Sequence, residues 1–482
     1  MEEYFKKFRK NIVGIDKHFT TPYGEKPLVY SDWIASGRLY HPVEEKLLKM
    51  GELLGNTHTE TTVTGKTMTQ LYHKAKDIIK SHVNASEDDV LISAGAGMTG
   101  VVNKFQRILG LKIHERFKDR IALDEAEKPV IFITHMEHHS NQTSWLETIG
   151  ELVLINADKE GRVDLEYFEK LLKQYRHRPY KIAAVTACSN VTGIETPYHT
   201  IASMIHKEGG LCFVDFACSA PYVDIDMHPG DGKGYLDAIY FSPHKFLGGP
   251  GSTGILVFNK KLYKNKIPDH PGGGTVDWTN PWGEHKYHDD IEMREDGGTP
   301  PFLQTIKAAL SIRVKEKMGV DNILKREEQL KEIVYDRIFD IPGLHLLQDN
   351  IRERLGVFSF YIEGLHYNLG VKLLNDRFGI QMRGGCSCAG TYGHYLLNID
   401  KDKSHEITKH ISEGHLEYKP GWIRMSIHPT MTDDEAKYIL DALKQLAANY
   451  RQWGEDYTYD KNTNEFSHKT FHETNELLKL LD

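Results

Sequence analysis

Seven short apolar runs alternate with amphipathic stretches in the first part of this 482-residue chain. The runs are DVLISAG, PVIFITH, ELVLINA, KIAAVTACSN, LCFVDFA, AIYFSPH and GILVFNK. Most are continuous rather than alternating, which is typical of strands covered on both faces. The stretches between them have helical spacing, as from Val101 to Leu109, where Gly110 ends the pattern. The sequence therefore predicts an α/β domain with a mainly parallel, seven-stranded sheet.

The pattern changes after the last of these runs. From Gln304 to Ile338 the spacing is nearly all helical, and only short strands such as GVFSFYIEG and GWIRMSIH follow. This favours a smaller α+β domain toward the C-terminal end. We predict an N-terminal segment that packs near the small domain, a large domain, a small domain and a polar tail, at residues 1–26, 27–305, 306–450 and 451–482.

Composition excludes several classes of protein. The formal net charge of -8 argues against a nucleic-acid binder that relies on phosphate neutralisation. The chain has no window of eighteen apolar residues, so we expect no membrane span, and its charged N-terminus lacks the apolar core of a signal peptide. Five unevenly spread cysteines do not form a disulfide framework, which indicates a cytoplasmic protein.

A glycine-rich turn follows the first run. Residues 95–100, GAGMTG, match G-x-G-x-x-G and open a helix, where backbone N–H groups bind phosphate well. A dinucleotide fold is disfavoured because the next strand ends in THMEHH, a poor clamp for a ribose. A phosphate cradle of another kind, with help from the Thr99 hydroxyl, is the favoured interpretation, and a purely structural turn is the alternative.

Three histidines lie close together in THMEHHSNQTSW. They are compatible with metal binding, with stacking on a flat cofactor, or with an ordinary loop. For His135 and His139 we favour the loop, because no pattern of supporting carboxylates accompanies them. His138 is the candidate for stacking.

An aspartate and a lysine follow two neighbouring strands. Asp215 ends LCFVDFA, and Lys245 comes directly after AIYFSPH, although lysine is among the residues least often buried. A pyridoxal phosphate (PLP) enzyme needs this pair: the lysine forms a Schiff base with the aldehyde, and the carboxylate keeps the pyridine nitrogen protonated. Ser242 and His244 are placed to reach the phosphate, and the glycines that follow allow close approach of the backbone.

The ordered set of motifs resembles the class V aminotransferase and cysteine desulfurase family of fold-type I PLP enzymes. The resemblance covers roughly residues 27–445. It rests on YSDWIASG, GMT, MEHH, CSNVTG, DFAC, SPHK, PGGGT, GGTP, RGGCSC and WIRMS.

The resemblance implies a role for each matching residue. Lys245 is the Schiff-base lysine, and Asp215 is the partner of the ring nitrogen. The other implied cofactor contacts are stacking by His138 with Ala217 on the opposite face, phosphate binding by Met98, Thr99, Ser242 and His244, and Asn190 near the ring hydroxyl. Thr299 would reach the phosphate of a partner subunit, which implies a homodimer. Arg424 would bind the carboxylate of a small amino acid with help from Arg383, and Asn56 and His58 would lie near this substrate.

Two departures from the family pattern stand out. Cys218 occupies a position where relatives usually carry Gln, so the hydrogen bond to the ring oxygen is in question. The inserted residues HKYHDDIEMRED precede GGTP and bear on the contact of Thr299.

The stretch MRGGCSCAGTYGHY contains the cysteines that bear on whether the enzyme transfers sulfur or an amino group. Cys388 aligns with the persulfide-forming cysteine of one branch of desulfurases, and a thiolate there could take sulfur from cysteine. Alternatively, the cysteines pack under a loop, or Cys386, Cys388 and His394 bind metal, although no fourth ligand is evident and we expect no metal site. We predict a cysteine desulfurase with a possible sulfur-acceptor protein. The alternatives are a class V aminotransferase, a selenocysteine lyase, and a metal- or redox-binding protein on a degenerate enzyme fold.

Overall fold

A computed structural model describes residues 1–118, 120–121, 123–230, 232–472 and 476–482. The α-helices in this part of the chain are α1 (Glu2–Arg9), α2 (His41–Gly51), α3 (Val63–His82), α4 (Met98–Ile108), α5 (Glu115–Lys118), α6 (His139–Leu146), α7 (Leu165–Gln174), α8 (Tyr198–Lys207), α9 (Ile291–Glu295), α10 (Phe302–Met318), α11 (Val320–Ile338), α12 (Tyr367–Phe378), α13 (Gly390–Leu396), α14 (Lys401–Ser412) and α15 (Asp433–Gly454). Short 3₁₀ helices lie at Pro243–Lys245, Lys260–Leu262, Leu416–Tyr418 and Glu476–Leu481.

The β-strands of the same residues belong to one large sheet and several small ones. They are β1 (His18–Thr21), β2 (Gly24–Pro27), β3 (Val29–Tyr30), β4 (Asp89–Ala94), β5 (Val130–Thr134), β6 (Glu151–Ile155), β7 (Lys181–Thr186), β8 (Leu211–Asp215), β9 (Ala238–Phe241), β10 (Gly254–Asn259), β11 (Val276–Thr279), β12 (His285–Tyr287), β13 (Leu344–Leu346), β14 (Val357–Ile362), β15 (Ile380–Gln381), β16 (Arg383–Gly385), β17 (Trp422–Ser426), β18 (Tyr457–Asp460) and β19 (Glu465–His468).

Packing divides the chain into two compact units. The larger unit comprises Ile34–Asn190 and Ile194–Leu324. The smaller unit comprises Met1–Trp33, Val191–Gly193 and Lys325–Asp482. The four segments predicted from the sequence divide the chain at other positions, and their bounds stay a prediction.

The larger unit is built on a seven-stranded sheet in the order β4-β10-β9-β8-β7-β5-β6. Each of the seven apolar runs forms one strand, and β9, β8, β7, β5 and β6 pair in parallel. Only β10 runs antiparallel to both of its neighbours in this sheet. The connection from β9 to β10 is a 3₁₀ turn and a glycine-rich loop, which reverses the chain without the helical crossover that a parallel neighbour requires. The α/β fold with a mainly parallel sheet is confirmed.

The core of the larger unit explains why its strands read as continuous apolar runs. All five residues of β5 and all six of β7 are buried. Helix α4 turns Val101, Phe105 and Ile108 toward this sheet, and the ring of Phe105 lies edge-on to Phe213 of β8 with centroids 5.0 Å apart. Burial of both faces of the sheet therefore stabilises the strand ends that carry the polar residues described below.

The smaller unit has a four-stranded antiparallel sheet in the order β13-β14-β17-β16. The two strands expected in GVFSFYIEG and GWIRMSIH are β14 and β17, and the helical stretch expected from Gln304 is divided into α10 and α11 by Gly319, which has a φ of +77°. Strands β18 and β19 form a hairpin in the C-terminal stretch, and Tyr457 Oη donates to Asp376 Oδ2 of α12 at 2.8 Å. The hairpin at Tyr457–His468 is thus bound to its own unit.

Every helix in the described part of the chain is either too short or too polar to cross a lipid bilayer.

Candidate functional site

The carboxyl ends of β8 and β9 bring together the aspartate and the lysine singled out in the sequence. These strands are parallel neighbours, so their ends meet at one edge of the sheet. Asp215 is the last residue of β8, is 3% exposed, and accepts a hydrogen bond from the Ala217 backbone N–H at 2.8 Å. Lys245 lies half-buried in the 3₁₀ turn after β9.

Electrostatics couple these two residues. Burial raises the pKa of Asp215 to about 6, and the Ala217 N–H and the positive charge of Lys245 each limit that rise. Desolvation thus dominates over the attraction of one amine, and a second positive charge near the carboxylate would favour its ionised form. The site is suited to hold a cationic ring nitrogen.

A polar recess lies at the N-terminus of α4. Ser242 Oγ accepts a hydrogen bond from the Met98 backbone N–H at 2.8 Å, and a Cβ added at Gly97 would lie 3.0 Å from the same oxygen. Burial, and then the charge of Lys245, lower the pKa of His244 to about 4, so its imidazole is neutral at pH 7. Thr99 Oγ1 is 2.7 Å from Ser140 Oγ. This arrangement is suited to bind an anionic group such as a phosphate, because it combines the first N–H groups of α4 with two hydroxyl groups and a neutral imidazole.

His138 follows a buried carboxylate that sequence reasoning missed. His138 is the N-cap of α6, and its Nδ1 accepts a hydrogen bond from Ser140 N–H at 3.1 Å. The preceding residue, Glu137, is buried and accepts from Thr134 Oγ1 at 2.6 Å, Thr134 N–H at 3.1 Å, Thr186 N–H at 2.9 Å and Asn141 Nδ2 at 2.8 Å. Burial, above all other causes, raises the pKa of Glu137 to about 7. Its position three residues after a continuous apolar strand was the available signal.

The other histidines of this segment have different surroundings. His135 is buried, its Nε2 lies 3.3 Å from the carbonyl oxygen of Gly161, and burial lowers its pKa to about 4. His139 is the first residue of α6.

Further predicted cofactor residues also lie in the larger unit. Asn190 is 6% exposed, whereas Thr299 is exposed and its Oγ1 accepts from Asn56 Nδ2 at 3.2 Å. His58 has a φ of +64°, and burial lowers its pKa. Cys218 is buried with its Sγ 3.8 Å from Cys188 Sγ.

The two predicted substrate arginines lie in the smaller unit, where one carboxylate holds both. Arg383 of β16 and Arg424 of β17 are directly opposite each other in the antiparallel register. Asp32 Oδ2 accepts from Arg383 Nε at 3.0 Å, and Asp32 Oδ1 accepts from Arg424 Nη2 at 2.8 Å. Asp32 lies in the YSDWIASG motif, but its partners could not be inferred from sequence because they are 351 and 392 residues away in the chain.

The predicted nucleophile, Cys388, lies in a tight turn of the smaller unit. Ser387 and Cys388 have φ values of +53° and +56°, and the Ala389 N–H donates to the Cys386 carbonyl oxygen at 3.0 Å. This is a type I′ turn, a conformation that usually contains glycine or asparagine. Cys388 is exposed and Cys386 is half-buried, and both are free thiols.

His394 does not join these cysteines in a metal centre. Its Nδ1 lies 2.7 Å from the Gly390 carbonyl oxygen, and its Nε2 lies 2.8 Å from Ser404 Oγ. Both ring nitrogens therefore have protein partners. Across the described residues, no group of three or more His, Cys, Asp or Glu side chains could hold a metal ion.

Comparison with known proteins gives the family. The model of the class-V aminotransferases matches residues 29–439. A probable cysteine desulfurase of Halalkalibacterium halodurans is 30% identical over 373 residues, which span 75% of this chain and 84% of that protein. A cysteine desulfurase of Haloferax volcanii is 28% identical over 262 residues, which span 54% of this chain and 59% of that protein.

Solved structures agree on the fold. An apo cysteine desulfurase from Thermococcus onnurineus NA1 has a TM-score of 0.71 at 23% identity and covers 88% of this chain and 95% of its own. The cysteine desulfurase CsdA from Escherichia coli has a TM-score of 0.70 at 20% identity, with 91% and 97% covered.

The chain belongs to the class V aminotransferase family, a family of PLP-dependent enzymes. The resemblance, the fold class and the enzyme class predicted from the sequence are confirmed. The roles of individual site residues stay predictions.

Replacement of Glu137 tests its structural role. Glu137→Ala leaves several buried donors without an acceptor, so we expect the free energy of unfolding to fall by roughly 2–4 kcal/mol. Glu137→Gln keeps an acceptor oxygen for most of these donors, so we expect its free energy of unfolding to fall by clearly less than that of Glu137→Ala. Urea unfolding of the two variants and the parent protein measures this, and equal losses for Ala and Gln would contradict it.

Replacement of Asp215 tests whether its buried carboxylate lowers the free energy of unfolding of the cofactor-free protein. A carboxyl whose pKa is raised by folding stabilises the protein fully below its ordinary pKa, and that stability is lost as the pH rises through the folded value of about 6. We therefore expect Asp215→Asn to raise the free energy of unfolding of cofactor-free protein at pH 7–8 by about 2–3 kcal/mol. The gain should vanish near pH 3.5. Unfolding curves across this range measure it, and a pH-independent difference would contradict the assignment.

Proposed function

We propose that this chain is a PLP-dependent cysteine desulfurase that converts L-cysteine to L-alanine and takes up the sulfur on Cys388. The observation that carries the proposal is the exposed thiol of Cys388 in a turn with positive φ angles. Sulfur transfer needs a thiol nucleophile that its substrate can reach, whereas amino transfer has no use for one. The names of the relatives support the same reaction.

The residues at the strand ends of the larger unit fit PLP. The buried carboxylate of Asp215 suits a protonated pyridine nitrogen, since a nearby cation would lower its raised pKa. The recess beside Gly97 and Ser242, at the start of α4, suits a phosphate group. When bound, PLP supplies an aldehyde that joins amines and a ring that accepts electrons from the substrate.

Lys245 and Asp215 have complementary roles in this proposal. Lys245 holds the aldehyde through its Nζ and, when the substrate amine takes its place, the freed Nζ removes the proton from the substrate α-carbon. Asp215 stays ionised beside the ring nitrogen, and its low exposure strengthens that interaction.

The remaining cofactor contacts keep the ring in place. The phosphate would be held by Ser242 Oγ, the hydroxyl of Thr99, the first N–H groups of α4 and the neutral imidazole of His244. His138 and Ala217 would contact the two faces of the ring, and Asn190 would bind its hydroxyl. Where relatives offer an amide, Cys218 offers a thiol, which is only a weak donor.

The smaller unit supplies the groups that act on the substrate. The Arg424 guanidinium binds the substrate carboxylate through a bidentate pair. Asp32 orients Arg424 and Arg383 before the substrate arrives, because each arginine already donates to it. The Cys388 thiolate would attack the substrate sulfur, so that an S–S bond forms while the bond between the substrate β-carbon and sulfur breaks. The electron pair of the broken bond stays with the β-carbon, which takes up a proton and becomes the methyl group of alanine, and the sulfur remains on Cys388 as a persulfide.

The proposal includes a second copy of the chain and a sulfur-accepting protein. Thr299 is exposed in GGTP, where the family resemblance implies contact with the phosphate bound by a partner subunit. An exposed persulfide on Cys388 would be open to an external thiol. The cytoplasm, where thiols stay reduced, is the proposed compartment.

Turnover of L-cysteine tests the reaction. In the presence of a dithiol reductant, we expect the purified protein to form alanine and sulfide in equal amounts. Lys245→Ala should lose both products and the visible absorbance of bound PLP, whereas Lys260→Ala, a change at an exposed lysine paired with Asp88, should not. Cys388→Ser should keep bound PLP but lower alanine formation by about two orders of magnitude or more.

Two results would contradict the proposal. One is formation of a keto acid with amino transfer in place of alanine and sulfide. The other is undiminished alanine formation by Cys388→Ser.

A further inference from the structure

The turn that carries Cys388 contains a second thiol at a fixed spacing. Cys386 is the first residue of the type I′ turn and Cys388 the third, and the Ala389 N–H to Cys386 carbonyl bond of 3.0 Å closes it. A residue in the left-handed region between two others brings their Cα atoms to roughly 5–6 Å, inside the 4.4–6.8 Å range that a disulfide spans. The backbone therefore holds the two cysteines at pairing distance before any reaction.

Neighbouring elements hold the turn in this unfavourable conformation. Two consecutive L-residues with positive φ are strained by about 1–3 kcal/mol each. The Ser387 hydroxyl accepts a hydrogen bond from Nε1 of the fully buried Trp422 at 3.2 Å. β16 precedes the turn and α13 follows it directly. Such strain persists only when surrounding structure imposes it, and it is concentrated at functional positions.

The surroundings of Cys386 differ from those of Cys388. A Cβ added at Gly385 would lie 3.9 Å from the ring of Tyr367, and Cys386 is among the groups that raise the pKa of that tyrosine after burial. Tyr367 Oη accepts from Nδ2 of Asn464, which lies in the loop of the β18–β19 hairpin, at 2.8 Å. Cys386 is thus sheltered beside a polar group, while Cys388 faces solvent. An external sulfur donor meets Cys388 first.

We propose that Cys386 is a resolving thiol that releases sulfur from Cys388 as hydrosulfide. This inference rests on the proposed function, in which Cys388 carries the persulfide. The Cys386 thiolate attacks Sγ of Cys388 and forms the Cys386–Cys388 bond, while the bond between Sγ and the outer sulfur breaks. The electron pair of the broken bond leaves with the outer sulfur as HS⁻. An external dithiol then reduces the disulfide by exchange and is itself oxidised to a disulfide.

The exposed position of Cys388 makes this disulfide easy to reduce. Exposed disulfides have more oxidising potentials than buried structural ones, because an external thiolate can reach them. The two cysteines therefore alternate between the thiol and the disulfide form and do not make a permanent cross-link. It gives the enzyme a route to free sulfide that needs no sulfur-accepting protein and that depends on the supply of reduced dithiol.

A single turnover of the holoenzyme without reductant tests the proposal. Protein with bound PLP is reduced, freed of reductant, and mixed with L-cysteine under exclusion of oxygen. Alanine and sulfide are measured, and the peptide that contains residues 383–394 is examined by mass spectrometry after rapid alkylation. We expect wild-type protein to form alanine, release sulfide and accumulate the Cys386–Cys388 disulfide.

The Cys386→Ser variant is the matched comparison. It should form alanine once, keep the persulfide on Cys388 and release sulfide at least about tenfold more slowly until a dithiol is added. Cys386→Ala should behave in the same way, because the thiol and not the size of residue 386 is responsible. If either variant folds poorly, the mass spectrum of the wild-type peptide with residues 383–394 still tests the proposal, because it shows directly whether the Cys386–Cys388 disulfide forms.

The outcomes separate this inference from the proposed function. Alanine formation with a lasting persulfide on Cys388 and a reduced Cys386 in wild-type protein would overturn the resolving role alone. Absence of alanine from L-cysteine would overturn the proposed function and the resolving role together.

Discussion

The meeting of parallel strand ends is the constraint on which the larger unit depends. Buried strands stabilise the sheet, and at its carboxyl edge they place Asp215 and Lys245 close enough for the charge of one to affect the pKa of the other. A carboxylate in this position is unfavourable in isolation, since burial outweighs its protein partners. The fold thus maintains a destabilised group that a cationic ligand would relieve, and this is typical of a preorganised cofactor site.

A second carboxylate has the corresponding role in the smaller unit. Asp32 follows β3, whereas Arg383 and Arg424 lie on adjacent strands of the four-stranded sheet, so one side chain connects three distant parts of the sequence. A parallel bridge between Asp32 and Ser426 holds its backbone in place. Because each arginine donates to a different oxygen of Asp32, this one carboxylate fixes the orientation of both guanidinium groups.

The sequence predicted those features that depend on local pattern or on the positions of strand ends. The seven apolar runs form the seven strands of the large sheet. Asp215 and Lys245 were found because the first ends one of these strands and the second lies in the turn after another. The direction of β10 was not predicted, because an apolar run looks the same in either direction. Glu137 was missed because its role depends on complete burial and on the Thr186 N–H of another strand. Asp32 was missed because its partners are far away in the sequence. The type I′ turn at Ser387 and Cys388 was also missed, because neither residue favours positive φ.

The hairpin of β18 and β19 contributes to the surroundings of the turn that contains Cys386. It lies beyond residue 439, where the match to the family ends, yet Asn464 reaches the tyrosine beside Cys386. A shortened protein that stops at the family boundary would keep all of its family motifs and still leave Tyr367 with an unmet acceptor and an open side. The hairpin that follows the family match therefore helps to fix the position of the tyrosine next to Cys386, and its removal would loosen the surroundings of that thiol.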